Sequence, residues 1–325
     1  MKVGIAGYGD TGKKRARAID AHPQTELVAV ADKNEYADYK DFGKMISREK
    51  LDALFVCLPN YLADEATIHG LRNGLHVFCE KPPAHKLEAL SQIESVSRKR
   101  PNQILMYGFN HRLHDSVIDT QEMIDSFSDG RKPFWMRGVY GKSRLNPFEG
   151  NWRSSKDLAG GGILLDQGIH MLDLFRVFGG EFEVVGSIVS NKYYAADVED
   201  NVMALLRNDR CFASIHSSAT LWSHQFTFDI GLADQVISLE GILSGTKSYG
   251  EETMTVIHRT GERVGAMEKI QKKYLEDKSW LREVDEFWRA ISTGNRGSHG
   301  LISDARATME LVFNIYEKDA SWNQS

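Results

Sequence analysis

Short apolar runs alternate with helical patterns along the first 120 residues of the chain. The runs lie at 2–6, 27–31, 53–57, 76–79 and 104–107, and helical patterns include those at 11–21, 64–73 and 87–98. Strands that alternate with helices in this way form a parallel sheet with helices on both faces. The pattern predicts a doubly wound α/β domain of five or six strands over residues 1–120.

The pattern changes in the rest of the chain, residues 121–325. Apolar runs at 134–140, 183–190, 201–206, 211–217, 225–232 and 235–239 are separated by short polar turns, which predicts strands of a mostly antiparallel open sheet. Within 225–232, apolar and polar residues alternate, as on a sheet with one buried face. Helices are predicted at about 163–178, 280–291 and 303–317, and the charged stretch 262–277 is predicted to be a loop or a solvated segment. These elements predict an α+β domain for substrate binding and oligomerisation, whose last helices can pack back on the first domain.

A glycine-rich turn follows the first predicted strand. Gly7 permits a tight bend, Gly9 lets the backbone approach a pyrophosphate, and Gly12 lets the next helix pack closely on the strand. Asp10 and Thr11 complete the turn, and the pyrophosphate is expected at the helix N-terminus. The sequence therefore predicts a Rossmann domain that binds a dinucleotide.

The second run ends at Asp32, at about the distance from the glycine turn where such domains carry an acidic residue. Its carboxylate would accept hydrogen bonds from the adenosine ribose hydroxyls and repel a 2′-phosphate, which predicts NAD as the cofactor. Lys33 could pair with that phosphate, so NADP remains possible.

Lys81 lies in the tripeptide Glu80-Lys81-Pro82, directly after the apolar run 76–79. A lysine at the carboxyl end of a buried parallel strand, with proline stiffening the chain after it, points into the crevice where such sheets bind ligands. Lys81 is therefore predicted to lie where a dinucleotide cofactor would bind.

Composition narrows the classes of partner and compartment. The 325 residues carry a net charge of -5, which gives no electrostatic case for nucleic acid. No apolar run approaches a membrane span, and the first core strand begins at residue 2, so neither a membrane segment nor a signal peptide is expected. The three cysteines show no metal-ligand spacing and are expected to be reduced thiols in the cytoplasm.

Motifs spread over nearly the whole chain resemble those of the glucose-fructose oxidoreductase and inositol dehydrogenase family, Gfo/Idh/MocA. They are the glycine turn, Pro59-Asn60, Glu80-Lys81-Pro82, Gly108-Phe109-Asn110 with Arg112, and Gly160-Gly161-Gly162 running into Asp166-Gln167-Gly168-Ile169-His170. The resemblance implies that Lys81, Asp166 and His170 are the catalytic group and that Pro59, Asn60 and Glu80 belong to the cofactor site. In one departure, Ala63 stands where the family often has a histidine.

The same three residues suit hydride transfer on chemical grounds. Oxidation of a carbinol requires the hydroxyl proton to leave, and a histidine such as His170 is a base with a pKa near neutrality. The ammonium of Lys81 would stabilise the developing alkoxide, and Asp166, four positions before His170, lies on the same helical face. Asp173 could hold the His170 imidazole in one tautomer, although a structural salt bridge explains this acid equally well.

A set of polar residues is expected on the substrate side. Its members are Asn110, His111, Arg112, Lys142, Arg144, Asn151, Trp152 and Arg153. Their basic character would suit a phosphorylated or nucleotide-linked sugar, while a free sugar or polyol remains open. His111 and His114 are three apart, but no carboxylate partner is fixed by the sequence, so no metal site is predicted.

Three functions remain open. The leading one is an NAD(P)-dependent dehydrogenase that acts on a secondary hydroxyl of a sugar, polyol or nucleotide sugar. The others are a glycosidase that uses bound NAD for transient oxidation and elimination, and a non-catalytic NAD-binding sensor. The apolar residues of 225–232 and an open sheet face predict a homo-oligomer, and the resemblance implies a homodimer or homotetramer.

Overall fold

The chain divides into two compact units. The computed structural model describes residues 1–142, 151–194, 196–244, 246–261, 267–297 and 299–322. The first unit consists of Met1–Asn110, Asp157–Gly160 and Ser279–Met309, and the second of His111–Lys156, Gly161–Lys278 and Glu310–Ser325. The assignment of cofactor binding to residues 1–120 and substrate binding to 121–325 stays a prediction.

The first unit is built on a parallel five-stranded sheet with the order β2-β1-β3-β4-β5. Its strands are β1 (Lys2–Ala6), β2 (Glu26–Ala31), β3 (Ala53–Val56), β4 (His76–Glu80) and β5 (Leu105–Gly108). The intervening helices are α1 (Asp10–Ala21), α2 (Phe42–Arg48), α3 (Asn60–Arg72) and α4 (Leu87–Arg98). Every residue of β3 and β5 is buried, as expected of parallel strands covered on both faces. The predicted doubly wound domain is confirmed.

A helix from far along the chain completes the core of the first unit. Helix α8 (Ser279–Thr293) buries Val284, Phe287 and Ala290 in the cluster that contains β1, β3 and β4. The ring of Phe287 meets the stacked pair Phe55 and Phe78 edge-on, with ring centroids 5.4 and 5.7 Å away. The aromatic packing explains why this helix belongs to the first unit.

The second unit is built on an eight-stranded sheet with the order β13-β12-β11-β10-β6-β9-β8-β7. All its pairings are antiparallel except that between β6 and β9. Its strands are β6 (Trp135–Gly141), β7 (Glu183–Ser190), β8 (Asn201–Arg207), β9 (Phe212–Ser218), β10 (Gln225–Gly231), β11 (Gln235–Glu240), β12 (Glu252–Arg259) and β13 (Met267–Tyr274). The predicted mostly antiparallel sheet is confirmed.

The remaining helices are short except at the C-terminus. They are a 3₁₀ turn (Asn110–Leu113), α5 (Asp115–Asp125), a second 3₁₀ turn (Trp152–Ser154), α6 (Lys156–Ala159), a π turn (Leu164–Gly168), α7 (Ile169–Gly179) and α9 (Ile302–Lys318). No helix in the described ranges is long and apolar enough to cross a membrane.

Helix α7 packs on the inner face of the second sheet. Gly138 in β6 leaves room for Met171 and Phe175, because an added Cβ would lie 2.5 Å from Met171. Phe228 in β10 lies 5.6 Å from both Phe175 and Phe178, measured between ring centroids. The alternating apolar residues of β10 therefore face α7 inside the unit, which accounts for their spacing without a partner chain.

The structure corrects one local prediction and refines another. Residues 267–274 of the charged stretch form the edge strand β13 and not a loop, although only Tyr274 of this strand is buried. The strand pairs along its whole length with β12, so backbone hydrogen bonds hold a segment that has no apolar pattern of its own. The helix predicted at about 163–178 is confirmed as a continuous helical segment, whose first part is the π turn and whose second part is α7.

Candidate active site

The glycine turn of the first unit has the shape that a pyrophosphate needs. Gly7 has a φ of +94°, and a Cβ added to Gly12 would collide with the carbonyl oxygen of Gly7. No atom lies within 4 Å of a Cβ added to Gly9, which is the N-cap of α1 and supplies no side-chain cap. Asp10 and Thr11 occupy the first turn of α1. The space beside Gly9 at the N-terminus of α1 is therefore open, and the turn fits a dinucleotide.

Asp32 directly follows β2 and is held by two backbone amides. Its Oδ2 accepts a hydrogen bond from Tyr8 N at 2.6 Å, and its Oδ1 accepts one from Asn34 N at 2.9 Å. Lys33, the residue that leaves NADP possible, is exposed. The carboxylate is thus fixed beside the glycine turn, where it was predicted to meet the adenosine ribose.

The residue before Lys81 belongs to a buried ion cluster. Arg15 Nε lies 2.5 Å from Glu80 Oε1, and the same guanidinium pairs with Glu283. Burial raises the pKa of Glu80, and the Arg15 charge opposes that rise. Lys81 is the next residue after Glu80. Its side chain is half-buried, and its peptide bond to Pro82 is cis. Glu80 therefore anchors the end of β4 from which Lys81 projects.

Pro59 and Asn60 begin helix α3 at the end of β3. Pro59 is the N-cap, and the Asn60 side chain donates a hydrogen bond to the Ala159 carbonyl at 2.7 Å. In the same helix, Asp64 accepts from His85 Nδ1 at 2.5 Å. Burial raises the pKa of Asp64 to about 6, although His85 pulls it down. The sequence analysis missed this pair, because Asp64 and His85 are far apart in the chain and share no motif.

In the second unit, Asp166 and His170 lie on either side of a change in helix type. The Ile169 amide donates to the Leu164 carbonyl, the five-residue step of a π turn, and α7 begins at Ile169. Single π turns inside helices occur often at functional sites. The half-buried Asp166 accepts from Lys142 Nζ at 2.8 Å and from the Gln167 side chain at 2.9 Å. Its charge is therefore balanced by an ammonium.

A buried carboxylate holds the start of this helical segment. Glu199 accepts hydrogen bonds from Gly162 N at 2.7 Å, from Leu164 N at 2.9 Å and from the Tyr316 hydroxyl at 2.8 Å. A Cβ added to Gly162 would collide with the Glu199 backbone, which explains the glycine. Burial raises the pKa of Glu199, while these hydrogen bonds lower it. Glu199 thus satisfies amides that precede Asp166 and His170, a role for which the sequence carried no signal.

The imidazole of His170 is buried and stacks on that of His111. The ring centroids are 3.7 Å apart, with an angle of 15° between the planes. His111 Nε2 lies 2.9 Å from the Tyr140 hydroxyl, and His114 pairs with Glu252 at 2.8 Å. In the described part of the chain, no three His, Cys, Asp or Glu side chains form a group that could hold a metal ion.

Several predicted substrate residues have protein partners. Arg112 donates to both carboxylate oxygens of Asp173, at 2.7 and 2.6 Å, so the salt-bridge interpretation of Asp173 is the one that the structure supports. Asn110 donates to the Ser279 hydroxyl at 3.0 Å. The Arg153 guanidinium lies 4.4 Å from the centre of the Trp152 ring. Arg144 lies outside the described residues. The substrate roles of these residues stay predictions.

Comparison with known families identifies the chain. A family profile described as "Oxidoreductase family, NAD-binding Rossmann fold" matches residues 1–109, and one described as "GFO/IDH/MocA C-terminal domain" matches residues 118–240. The chain belongs to the Gfo/Idh/MocA oxidoreductase family. It is therefore an NAD-binding oxidoreductase, and the resemblance seen in its motifs is confirmed.

Relatives in the Gfo/Idh/MocA family match over nearly their full lengths. The D-glucoside 3-dehydrogenase of Escherichia coli is 26% identical, over 98% of this chain and 95% of the relative. The myo-inositol 2-dehydrogenase of Thermotoga maritima is 24% identical, over 96% of both chains. The structure of levoglucosan dehydrogenase in complex with NADH has a TM-score of 0.85 and 21% identity, and covers 99% of this chain and 97% of that one. At that identity the structural match supports the fold.

The predicted Gfo/Idh/MocA catalytic residues are divided between the two units. Lys81 is in the first unit, and Asp166 and His170 are in the second. Ala63, at the position where the family often has a histidine, is buried in α3. The position therefore holds no titratable side chain, although its neighbour Asp64 pairs with His85.

Proposed function

We propose that the protein is an NAD(P)-dependent dehydrogenase that interconverts a secondary hydroxyl and a ketone on a sugar or polyol. The observation that carries this proposal is the buried His170 imidazole, which follows the π turn that holds Asp166 next to Lys142. Relatives that span nearly the whole chain are a glucoside dehydrogenase and an inositol dehydrogenase. His170 therefore supplies a base, and Asp166 a carboxylate paired with Lys142, for the oxidation of a secondary hydroxyl group.

The proposed chemistry assigns one task to each of three residues. Bound nicotinamide supplies the hydride acceptor. His170 takes the proton from the substrate hydroxyl as the carbon–oxygen double bond forms, and it returns a proton in the reverse direction. Lys81 stabilises the negative charge that develops on the oxygen. Asp166 accepts a hydrogen bond from the substrate and keeps Lys142 in place.

The charge balance favours a neutral substrate. Lys142 and Arg112 were expected to attract a phosphate, but each is paired with a carboxylate, Asp166 and Asp173 respectively. A phosphate group would have to compete with these buried or half-buried pairs. Among sugars and polyols, we therefore place uncharged glycosides and cyclic polyols before nucleotide-linked sugars.

A substrate panel tests the function. The protein is incubated with NAD and separate glycosides, cyclic polyols and nucleotide sugars, while NADH absorbance and product mass are followed. The His170→Asn variant serves as the control for contaminating activity. We expect NADH formation with a product two mass units lighter on an uncharged substrate. Glycoside cleavage without NADH formation would support the glycosidase instead, and cofactor binding without turnover across the panel would support the sensor.

Cofactor preference is a separate proposal. The fixed carboxylate of Asp32 favours NAD over NADP, because a 2′-phosphate would approach a negative charge. A fluorescence titration should show tighter binding of NADH than of NADPH, and Asp32→Asn should narrow the difference. Equal or tighter NADPH binding by the unaltered protein would contradict the proposal.

We also propose that the protein forms a homodimer or homotetramer through the outer face of its second sheet. Ile188, Met203, Leu205 and Phe212 on strands β7 to β9 are each more than half exposed. The strand register pairs Ile188 with Met203 and places the other two on the same face. An apolar patch of this kind on a sheet is typical of an interface between copies.

Light scattering tests this assembly. Leu205→Glu should lower the mass of the assembly at micromolar concentration. The matched control is Ile270→Glu, which changes an equally apolar, exposed residue on the opposite face of the same sheet. A monomeric unaltered protein would contradict the proposal. The free thiols Cys57, Cys79 and Cys211 support the further proposal that the protein works in the reducing cytoplasm.

A further inference from the structure

His111 is a second histidine in direct contact with the proposed base. It lies in the 3₁₀ turn Asn110–Leu113, and its ring centroid is 3.7 Å from that of His170, with 15° between the ring planes. The residues are 6% and 4% exposed, so both rings are largely removed from water. The proposed catalytic steps give His111 no task.

The hydrogen bond of His111 favours a neutral His111 ring in the tautomer in which the Tyr140 hydroxyl is the donor. Its Nε2 lies 2.9 Å from the Tyr140 hydroxyl. Burial raises the pKa of Tyr140, so this side chain is a neutral phenol that can donate its proton to an imidazole lone pair. A nitrogen that accepts a hydrogen bond in this way is harder to protonate, because the bond is lost when the nitrogen gains its own proton.

The stacking restricts the pair to one added proton. Two imidazolium rings face to face at this separation, away from water, would repel each other strongly. One imidazolium against one neutral ring is favourable, because the face of an aromatic ring attracts a cation. We propose that His111 is a positioning residue that keeps its own ring neutral and directs the single proton of the pair to His170. This inference rests on the proposed role of His170 as the base.

Other titratable groups surround the pair and enter the test. The His114 ring is edge-on to His111 with centroids 5.5 Å apart, and it is paired with Glu252 of β12. Tyr249 contacts Tyr140, with ring centroids 5.6 Å apart. Asp166, four positions before His170 in the chain, forms an ion pair with Lys142. Tyr140 reaches His111 directly through its hydroxyl, so its replacement tests His111 without altering His170 itself.

The experiment compares three variants and one double variant by the pH dependence of kcat. His111→Phe keeps an aromatic face that cannot take a proton, so the acidic limb, the fall of kcat at low pH, should stay in place. His111→Leu removes the face, so kcat should fall about tenfold and the acidic limb should move to lower pH, because the His170 imidazolium loses its neighbour. Tyr140→Phe makes His111 more basic, so the pair takes up its proton at higher pH and the limb should move up by roughly half a pH unit or more.

The double variant separates this role from a general packing role. In the His111→Phe background, Tyr140→Phe should no longer move the acidic limb of the kcat profile. The phenylalanine ring at position 111 cannot take a proton, so the loss of the Tyr140 hydroxyl has nothing there to make more basic. An independent readout is an NMR titration of the histidine rings without cofactor, in which one protonation step should belong to His170 and persist in His111→Phe. Circular dichroism confirms that each variant is folded.

Two results would overturn the inference. One is that His111→Leu and Tyr140→Phe lower kcat without moving the acidic limb, and the other is a Tyr140→Phe shift that persists in the His111→Phe background. His170→Asn distinguishes this failure from that of the proposed function. If that variant keeps near-normal turnover, His170 is not the base. An inactive His170→Asn, together with an unmoved acidic limb in His111→Leu and Tyr140→Phe, overturns only the role of His111.

Discussion

Arg15 and Glu80 form an ion pair inside the first unit, with Arg15 Nε 2.5 Å from a Glu80 carboxylate oxygen. The same guanidinium pairs with Glu283 and lies 4.5 Å from the centre of the Phe78 ring. Arg15 is fully buried. The end of β4, where Lys81 leaves the sheet, is therefore tied to helices α1 and α8 by one cation.

Replacement of Arg15 should destabilise the protein strongly. Arg15→Met keeps the side-chain length but leaves Glu80 and Glu283 buried without their cation, which should lower the free energy of unfolding by about 3–5 kcal/mol. The matched control is Arg98→Met, because Arg98 is exposed and its partner Glu94 keeps a second cation, Arg306, so the loss should cost about 1 kcal/mol or less. Chemical denaturation measures both.

The loss caused by Arg15→Met should also depend on pH. Burial already raises the pKa of Glu80, and without Arg15 the folded state would hold a proton on it more tightly than the unfolded state. A carboxyl group with a raised folded pKa contributes stability at low pH that is lost as the pH rises. The deficit should therefore be smaller at pH 5 than at pH 8, and an equal deficit at both would count against an unpaired carboxylate.

Glu199 should be needed as a hydrogen-bond acceptor and not as a charge. The amides of Gly162 and Leu164 donate to different oxygens of Glu199. Glu199→Gln keeps an acceptor for one of them only but avoids a buried charge, so it should cost about 1–2 kcal/mol of unfolding free energy. Glu199→Ala leaves those amides and the Tyr316 hydroxyl without a partner and should cost about 3 kcal/mol. Thermal unfolding distinguishes the two, and equal losses would contradict the anchoring role.

Glu252 should make the stability of the second unit fall at acidic pH. Burial alone would raise the pKa of this carboxyl, but hydrogen bonds from His114, Ser116 and a backbone amide bring it to about 2. A depressed folded pKa contributes stability above the unfolded value near 4.5, and this contribution is lost as the pH falls toward 2. The contribution is about 3 kcal/mol at neutral pH. Glu252→Gln should show a weaker dependence of stability on pH between 5 and 3, and an unchanged dependence would refute the assignment.

The catalytic assignment predicts the largest effects on turnover. On a confirmed substrate, His170→Asn should lower kcat by roughly 10²- to 10⁴-fold while NADH affinity stays nearly unchanged. Lys81→Ala should be at least as damaging, because it removes stabilisation of the developing oxygen charge. Steady-state kinetics and an NADH titration test both variants. Near-normal turnover in both would leave Lys81 only a role in holding the cofactor.

Local sequence determined those features that depend on neighbours in the chain. The spacing of Gly7, Gly9 and Gly12 between an apolar strand and a helix identified the dinucleotide turn, because that turn depends on backbone freedom over six residues. Helix α4 was predicted at residues 87–98, as observed, because its apolar spacing and the proline beyond it act locally. Residues 267–274 gave no such signal, since the strand β13 depends on pairing with β12.

Only the tertiary structure decided which side chains meet. His111 was expected on the substrate side, and the fold stacks its ring on that of His170. Asp173 had two interpretations, a partner of His170 or a salt bridge, and the fold pairs it with Arg112. Glu199 and Arg15 carried no motif, yet each holds the segment from which a predicted catalytic residue projects. Ion pairs and ring stacking join residues that are distant along the chain, and their energies depend on separation and burial, which the order of the amino acids does not specify without the fold.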